Sequence, residues 1–566
     1  MFSGQCVDGD QALCEAALSA RCFFGLAELG VPFPCTEYGE FMGYKTDHDR
    51  GRRATSAGPY TSKLMTECLE RSAREKQIQI MDNLQVIRLL VMEDKVYGVL
   101  CLDKGNRQAG AYLIIWCRNV VLATGGPAGM YRDSVYPTSQ LGSSGLAFEA
   151  GAAGKNLTEW QFGLASLKPR WNVSGTYMQV LPRFVSTDQN GTNEREFLMD
   201  YFKTEEEMLS AVFLKGYQWP FDVNKIFGGS SVVDLLVYQE TILRGRKVYL
   251  DFTRNPGKGD IPFERLSPEA YDYLKQAGAL FGTPIERLRQ MNEPAISFYR
   301  DHKVDLYRER LEVAVCAQHN NGGISTDAYW ETRVSGLFAV GEVCGSHGVT
   351  RPGGSALNAG QAGAVRAAEK IHLKKLHERQ EEVSAAKEEL LREEAHAFVR
   401  LPMQAKGSVS AGELWKRAAA RMSACAGMIR NQEQLERALK ETEAELNSYL
   451  ELVKTPEAAG LPAFYRLRDM LLSQKVYLFA MLDYAKSGAG SRGSALYTDE
   501  TGKQPDERLP RLYRCTLDMG AHKGVVQEVL LDEEDCFVNW RPVRPIPQVD
   551  YFFENQWKAY RDRNGI

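Results

Sequence analysis

The sequence predicts an α/β protein whose first domain is interrupted by a long insertion. Three observations carry this. Residues 111–124 (AYLIIWCRNVVLAT) hold two short apolar runs that end in Thr124-Gly125-Gly126, and a buried strand that ends in glycines suits a backbone approached closely by something else. Residues 313–341 return to runs of the same kind, VAVCA and GLFAVG, and lead through a Gly-rich loop into a long helix. Between them, residues from about 165 to 312 change character towards aromatics and long polar loops, so we read them as an inserted domain.

The elements follow in order. Apolar residues recur at helical spacing through ALCEAALSARCFFGLAELGV, so the first 35 residues read as a helix with Gly30 at its C′ position. A polar Gly-rich stretch precedes a second helix, TSKLMTECLERSAREK, and a small meander follows to Asp103. Residues 145–152 read as a short helix, and the insertion should contain helices near 204–217, 229–243 and 268–280. The charged run 376–398 reads as a solvated helix, 410–486 as a bundle of three long helices, and 510–540 as short strands. RPVRPIP at 541–547 should be extended. There are no internal repeats.

Composition excludes several classes of function. Lys and Arg total 69 against 73 Asp and Glu, a net charge of −4, without the basic excess expected of a nucleic-acid binder. No stretch approaches the roughly 20 apolar residues that span a bilayer. The twelve cysteines are scattered and form no C-x-x-C pair, which speaks against a zinc ribbon or a cysteine-ligated iron–sulfur cluster, and no metal site is assigned. Reduced thiols and the lack of a secretory leader point to the cytoplasm.

Gly488-Ala-Gly490-Ser-Arg-Gly493 matches G-x-G-x-x-G literally, but a helix-like run precedes it where the fingerprint needs a strand, so it is no phosphate loop. The segment 319–357 is different. It contains His319-Asn-Asn-Gly322-Gly323-Ile, then Gly336-Leu-Phe-Ala-Val-Gly341-Glu342, then His347-Gly-Val-Thr-Arg351-Pro-Gly-Gly354-Ser355-Ala356-Leu357. A strand delivers a Gly-Glu pair, and a glycine loop then opens a helix whose N-terminus favours negative charge. These pieces, with Thr124-Gly125-Gly126 and Ser491-Arg492-Gly493, resemble the fumarate reductase/succinate dehydrogenase flavoprotein family, which includes L-aspartate oxidase.

The resemblance implies a Rossmann-like FAD-binding domain in two parts, 1–164 and 313–378, a capping domain at 165–312, and a C-terminal helical region with a tail at 379–566. It implies an oxidoreductase in which hydride passes between flavin N5 and an enoate-like carboxylate, on CH–CH or CH–NH donors. An iron–sulfur or other electron-transfer subunit would be the partner. It assigns Thr124, Gly125, Gly126, Gly322, Gly323, Gly341, Glu342, Gly354, Ser355, Ala356 and Leu357 to the cofactor, and His319 and Arg351 to the substrate. The planar fork of Arg351 suits a carboxylate, and the imidazole of His319 could hydrogen-bond a carboxylate or carbonyl.

Four family features are missing, one of them the Asp of the G-D-G turn, which is replaced around Ser143 and Ser144. The opening strand with G-x-G-x-x-G, hence the first βαβ, is not found, and Met1 already falls in the helix that follows it, so the start is expected to be internal. Gln161-Phe162-Gly163-Leu164-Ala165 stands where the family has Q-F-H-P-T. The R-G-E-G stretch, whose Arg donates the proton, is replaced by a segment ending in Arg183, our candidate donor, with Arg170 and Arg195 as competitors. The other reading is a degenerate family member that serves as a structural or interaction subunit.

Overall fold

The computed structural model describes the chain except residues 1–3, 47–48, 107–110, 138–139, 141, 258, 378–382 and 566. At its centre the strand Val120–Leu122 pairs in parallel with Leu337–Ala339, Val120 beside Leu337 and Leu122 beside Ala339. Strands more than 200 positions apart thus run side by side and end together, the first in Thr124-Gly125-Gly126 and the second in Gly341-Glu342. Parallel pairing needs a crossover connection, and here the crossover contains the whole 165–312 segment.

The meander expected before Asp103 is an antiparallel sheet of Leu84–Met92, Lys95–Asp103 and Tyr112–Trp116. The 165–312 segment contributes the strands Arg170–Asn172, Arg183–Thr187 and Lys247–Asp251 to a five-stranded antiparallel sheet. Its long members are Trp160–Leu167 and Leu311–Asn320, which lead into and out of that segment. The helices predicted there occur as Glu205–Leu214, Val232–Tyr238 running into a π-helical turn at Gln239–Leu243, and Pro268–Gln276. A further helix, Pro284–Asp301, was not predicted; Asn292 breaks its dihedrals just before Pro294.

The first helix is shorter than read, Gly9–Glu28. The polar stretch after it contains a hairpin, Tyr44–Thr46 with Asp49–Ala54. Ser355–His377 is the long helix after the glycine loop, and Ala385–Gln404 follows; part of the charged run between them lies outside the described residues. The expected three-helix bundle is Ala411–Cys425, Gln432–Asn447 and Leu461–Lys486. Every residue from 470 to 478 is buried, as befits a helix surrounded on all sides. The expected strands of 510–540 reduce to the hairpin Val525–Asp532 with Asp535–Pro542. A last helix, Phe553–Asn564, buries none of its residues.

The C-terminal hairpin continues through Gly154–Lys155 to Gly323–Ile324, which docks the end of the chain behind the glycine motif. A buried ion network locks this layer. Lys155 Nζ lies 2.9 Å from Asp8 Oδ2 and donates to Gln11 Oε1 at 2.7 Å, with both Asp8 and Lys155 removed from solvent. Arg541 adds two hydrogen bonds of 2.9 Å to the Asp8 carboxylate, and the Arg544 backbone N–H a third. Burial alone would raise the Asp8 carboxyl, but the bonds from Arg541 and the charge of Lys155 hold it well below the usual carboxylate range.

Asp8→Asn should therefore destabilise the fold by about 3–5 kcal/mol in urea unfolding, because it strands the charge of Lys155. The depressed native pKa adds stability that is present above the unfolded carboxylate pKa and is lost as pH falls through the acid range. The difference between parent and Asp8→Asn should accordingly shrink on acidification.

Candidate functional site

The paired strand ends, the turn at 320–324 and the start of the helix Ser355–His377 converge on Glu342. Its Oε1 accepts from the Asn320 backbone N–H at 2.7 Å and from the hydroxyl of Tyr136. The backbone of Gly126 adds a third hydrogen bond to this carboxylate. A Cβ on residue 126 would sit 2.5 Å from Glu342 Oε1, so the glycine is what lets the carboxylate seat against the first strand end. Burial raises the Glu342 carboxyl above its ordinary value and these donors work against it; burial also pushes the Tyr136 phenol well up, so the tyrosine donates and does not ionise.

Gly341 and Gly354 have φ of +74° and +80°, a backbone that favours glycine, and a Cβ on either would meet nothing closer than 3.7 Å. They border open space beside the N-terminus of Ser355–His377. Ala356 and Leu357 lie in that helix's first turn, with Leu357 exposed. The Ser355 hydroxyl turns back to the Pro352 carbonyl at 2.7 Å. Gly125 also has a positive φ, and the Thr124 hydroxyl is buried without a partner. Gly322 and Gly323 differ from these. A Cβ there would lie 2.0 Å from the Asn156 carbonyl and 2.4 Å from the Val343 carbonyl, so close chain packing explains both glycines.

His319, His347 and Arg351 share the next stretch of the site. The two imidazole rings lie 5.7 Å apart. His319 Nδ1 is 3.0 Å from Asn321 Oδ1, and its Nε2 is buried with no partner. Burial, then the charge of Arg351, drives both histidines towards neutrality, His347 to about 3. Arg351 makes no ion pair among the described residues. Among the described residues its one hydrogen bond is from Nη1 to its neighbour's carbonyl at 3.4 Å, and its buried Nε has no acceptor. Glu342, Tyr136 and Tyr44 lie within its electrostatic reach.

Arg183 needs correction. Its Nε, Nη1 and Nη2 are held by Glu196 at 2.6 Å, Asp251 at 3.1 Å and Glu194 at 2.9 Å. It pairs with Asp251, whose strand aligns Leu250 with Leu311, at the start of the ten-residue strand that ends in His319 and Asn320. At the rise of an extended strand that is roughly 30 Å from His319. An arginine so placed cannot deliver a proton at the Arg351 site. Arg195 is likewise engaged, with Asp200. Arg170 is nearer, donating to the carbonyls of Tyr136 at 3.1 Å and Arg132 at 3.3 Å. Tyr136, Asn320 and Asn321 were not assigned from sequence. The two asparagines stand inside the glycine motif, where a buried amide signals a hydrogen-bonding task, but Tyr136 carries no local signal.

Among the described residues no cluster of three potential metal ligands occurs, and no helix is long and apolar enough to cross a membrane. The parallel strand ends, the acceptor Glu342, the unpartnered Thr124 hydroxyl and the open helix N-terminus suit a ligand rich in hydroxyls and phosphates.

Comparison with known proteins agrees with this chemistry. Residues 9–357 match the family described as FAD binding domain. An L-aspartate oxidase of Mesorhizobium japonicum is 28% identical over 375 residues, 64% of this chain and 62% of that protein. The fumarate reductase (CoM/CoB) of Methanothermobacter marburgensis has a subunit that is 25% identical over 338 residues, 59% of this chain and 52% of its own length. Each match spans less than two thirds of the relative. The FrdA chain of E. coli quinol fumarate reductase shares the fold, with a TM-score of 0.68 at 18% identity over 96% of this chain and 85% of that one.

Arg183→Gln should lower stability by roughly 2–3 kcal/mol in urea unfolding, since it leaves Asp251 without its closest cation, while half-exposed Glu194 and Glu196 recover solvent. Binding of a small carboxylate, if Arg351 takes one, should not change. A loss of binding without a loss of stability would return Arg183 to the site.

Proposed function

Because the chain belongs to the FAD binding domain family, we propose that it is a FAD-dependent oxidoreductase acting on a small carboxylate at a CH–CH or CH–NH bond. The observation that carries this reading is Arg351, a half-buried arginine beside the cofactor cradle that makes no ion pair among the described residues and whose Nε is buried without an acceptor. A cation left unpaired at the mouth of such a site fits a substrate anion.

FAD held here would supply two-electron chemistry. The chain's own residues would do the rest. Glu342 is the acceptor for cofactor hydroxyls, Thr124 adds its hydroxyl, and Gly126 lets the backbone come close. Gly341 and Gly354 keep the approach free of side chains, and the first turn presents the N–H groups of Ala356 and Leu357 towards negative charge, while the Ser355 N–H and hydroxyl both turn to the Pro352 carbonyl. Arg351 binds and orients the carboxylate, with His319 alongside. Because one of the relatives is a subunit by name, a separate electron-transfer subunit, iron–sulfur or otherwise, is the partner this reading expects.

Arg351→Ala should lower kcat/KM for a carboxylate substrate by at least about thirtyfold, the equivalent of 2 kcal/mol at the low end of losing one partner of a buried charged pair. Flavin content should stay at the parent level. Loss of flavin with turnover per flavin unchanged would move Arg351 to the cofactor site. Stoichiometric flavin with no carboxylate turnover would favour the structural subunit instead.

A further inference from the structure

The hydrogen bonds of Asn321 fix which nitrogen of His319 carries the proton. Asn321 Nδ2 donates to the carbonyls of Gly348 at 2.9 Å and Val349 at 3.3 Å, so its Oδ1 is the atom turned to His319. That oxygen can only accept, so His319 Nδ1 must be the N–H. In a neutral ring Nε2 then presents a lone pair. The ring is 5% exposed and lies beside the Arg351 cation and the His347 ring, and its one polar side-chain partner is the neutral Asn321 amide. Burial and the Arg351 charge disfavour a second proton and outweigh the Asn321 hydrogen bond, the one influence that favours it. The Nε2 lone pair is buried and unpartnered, as is Arg351 Nε.

This is the reverse of the donor role read from sequence. An orphaned acceptor next to an orphaned cation is complementary to a ligand that carries a hydrogen-bond donor beside an anion. A plain enoate or alkanoate satisfies Arg351 and leaves Nε2 dry and unpaired, which is the costly case for a buried polar atom. Among donors, a hydroxyl suits the site better than an ammonium, because an ammonium would bring a second positive charge up to Arg351.

We propose that His319 Nε2 accepts a hydrogen bond from a hydroxyl on the carbon next to the ligand carboxylate, and that Asn321 is the positioning residue that sets this role. The protein would then select 2-hydroxy carboxylates over their unsubstituted counterparts. The proposal rests on the reading of Arg351 as the carboxylate site.

The test uses the full chain with two readouts. Nitrogen-15 NMR of histidine-labelled protein, with His319→Gln to assign the resonance, should show His319 at pH 7 as a neutral ring with the proton on Nδ1. Calorimetric titration should show malate binding at least about tenfold tighter than succinate, with aspartate weaker than malate. In Asn321→Asp the acidic partner should hold a second proton on the ring, turning Nε2 into a donor. The preference for malate should then vanish or reverse, and the imidazolium signal should appear. A proton on Nε2 in the parent, or equal affinity for malate and succinate, overturns the inference and leaves the carboxylate site standing. Aspartate binding tighter than malate overturns the choice of hydroxyl. If none of these acids binds and Arg351→Ala changes nothing, the reading beneath it falls as well.

Discussion

The parallel pairing of Val120–Leu122 with Leu337–Ala339 is the constraint on which the rest depends. It joins halves of the chain separated by more than 200 residues and makes both strands end at one place. Gly126 and Glu342 meet there because the sheet register leaves no alternative. The carboxylate then becomes a junction: Tyr136, Asn320 and Gly126 all donate to it, each from a different segment. Asn320 passes the connection on, since its Nδ2 donates at 2.7 Å to the hydroxyl of Tyr477 in the buried helix Leu461–Lys486. The same helix places Asp469 Oδ1 2.9 Å from the Leu146 backbone N–H, at the start of the short helix Ser144–Glu149. The C-terminal bundle thus supports the site through two polar contacts as well as through its apolar bulk.

Two buried ionic systems hold the layers in register. One is the Asp8–Lys155–Arg541–Arg544 network behind the glycine motif. The other is Arg492 on Glu159 at 2.7 Å, both nearly excluded from solvent, which ties the region after the long helix to the strand that faces His319 across the sheet. Pairs of this kind add modest net stability over an apolar core but are severe to break. They specify which surfaces meet, and in this chain the surfaces that meet are those that shape the site.

Much of the fold was legible because glycine marks the strand ends and apolar runs mark the strands, as at 120–126 and 337–342, although Val120–Leu122 is only partly buried, with Val121 exposed, where a buried strand was expected. The helices with a clear apolar periodicity were legible for the same reason. The hairpin at 44–54 was not, since its strands are polar and lack the alternation that betrays a half-buried sheet. Pro284–Asp301 was hidden by its internal proline, although Thr283-Pro284-Ile285-Glu286 carries a start signal: the Thr283 N–H bonds Glu286 at 2.7 Å. Phe553–Asn564 buries no face and so leaves no pattern. Glu342, His319 and Arg351 were singled out by their motif, and the structure brings them together. Arg183 was misassigned because sequence gives no register, and nine residues along a strand separate an ion cluster from a ligand site. Gly322 and Gly323 were read as cofactor contacts, and the carbonyls of Asn156 and Val343 lie close enough to require glycine at both positions on packing grounds alone.

The central claim is that Gly126 and Glu342 form one cradle for the cofactor because the paired strands end together. Titration of FAD into the parent chain, Gly126→Ala and Glu342→Ala, followed by flavin fluorescence, tests it most directly. A methyl at 126 would press on the Glu342 carboxylate and displace it, so the two variants should weaken FAD binding alike, by about tenfold or more. Parent-like FAD affinity in Gly126→Ala with a folded chain, or no binding by the parent itself, would contradict the account.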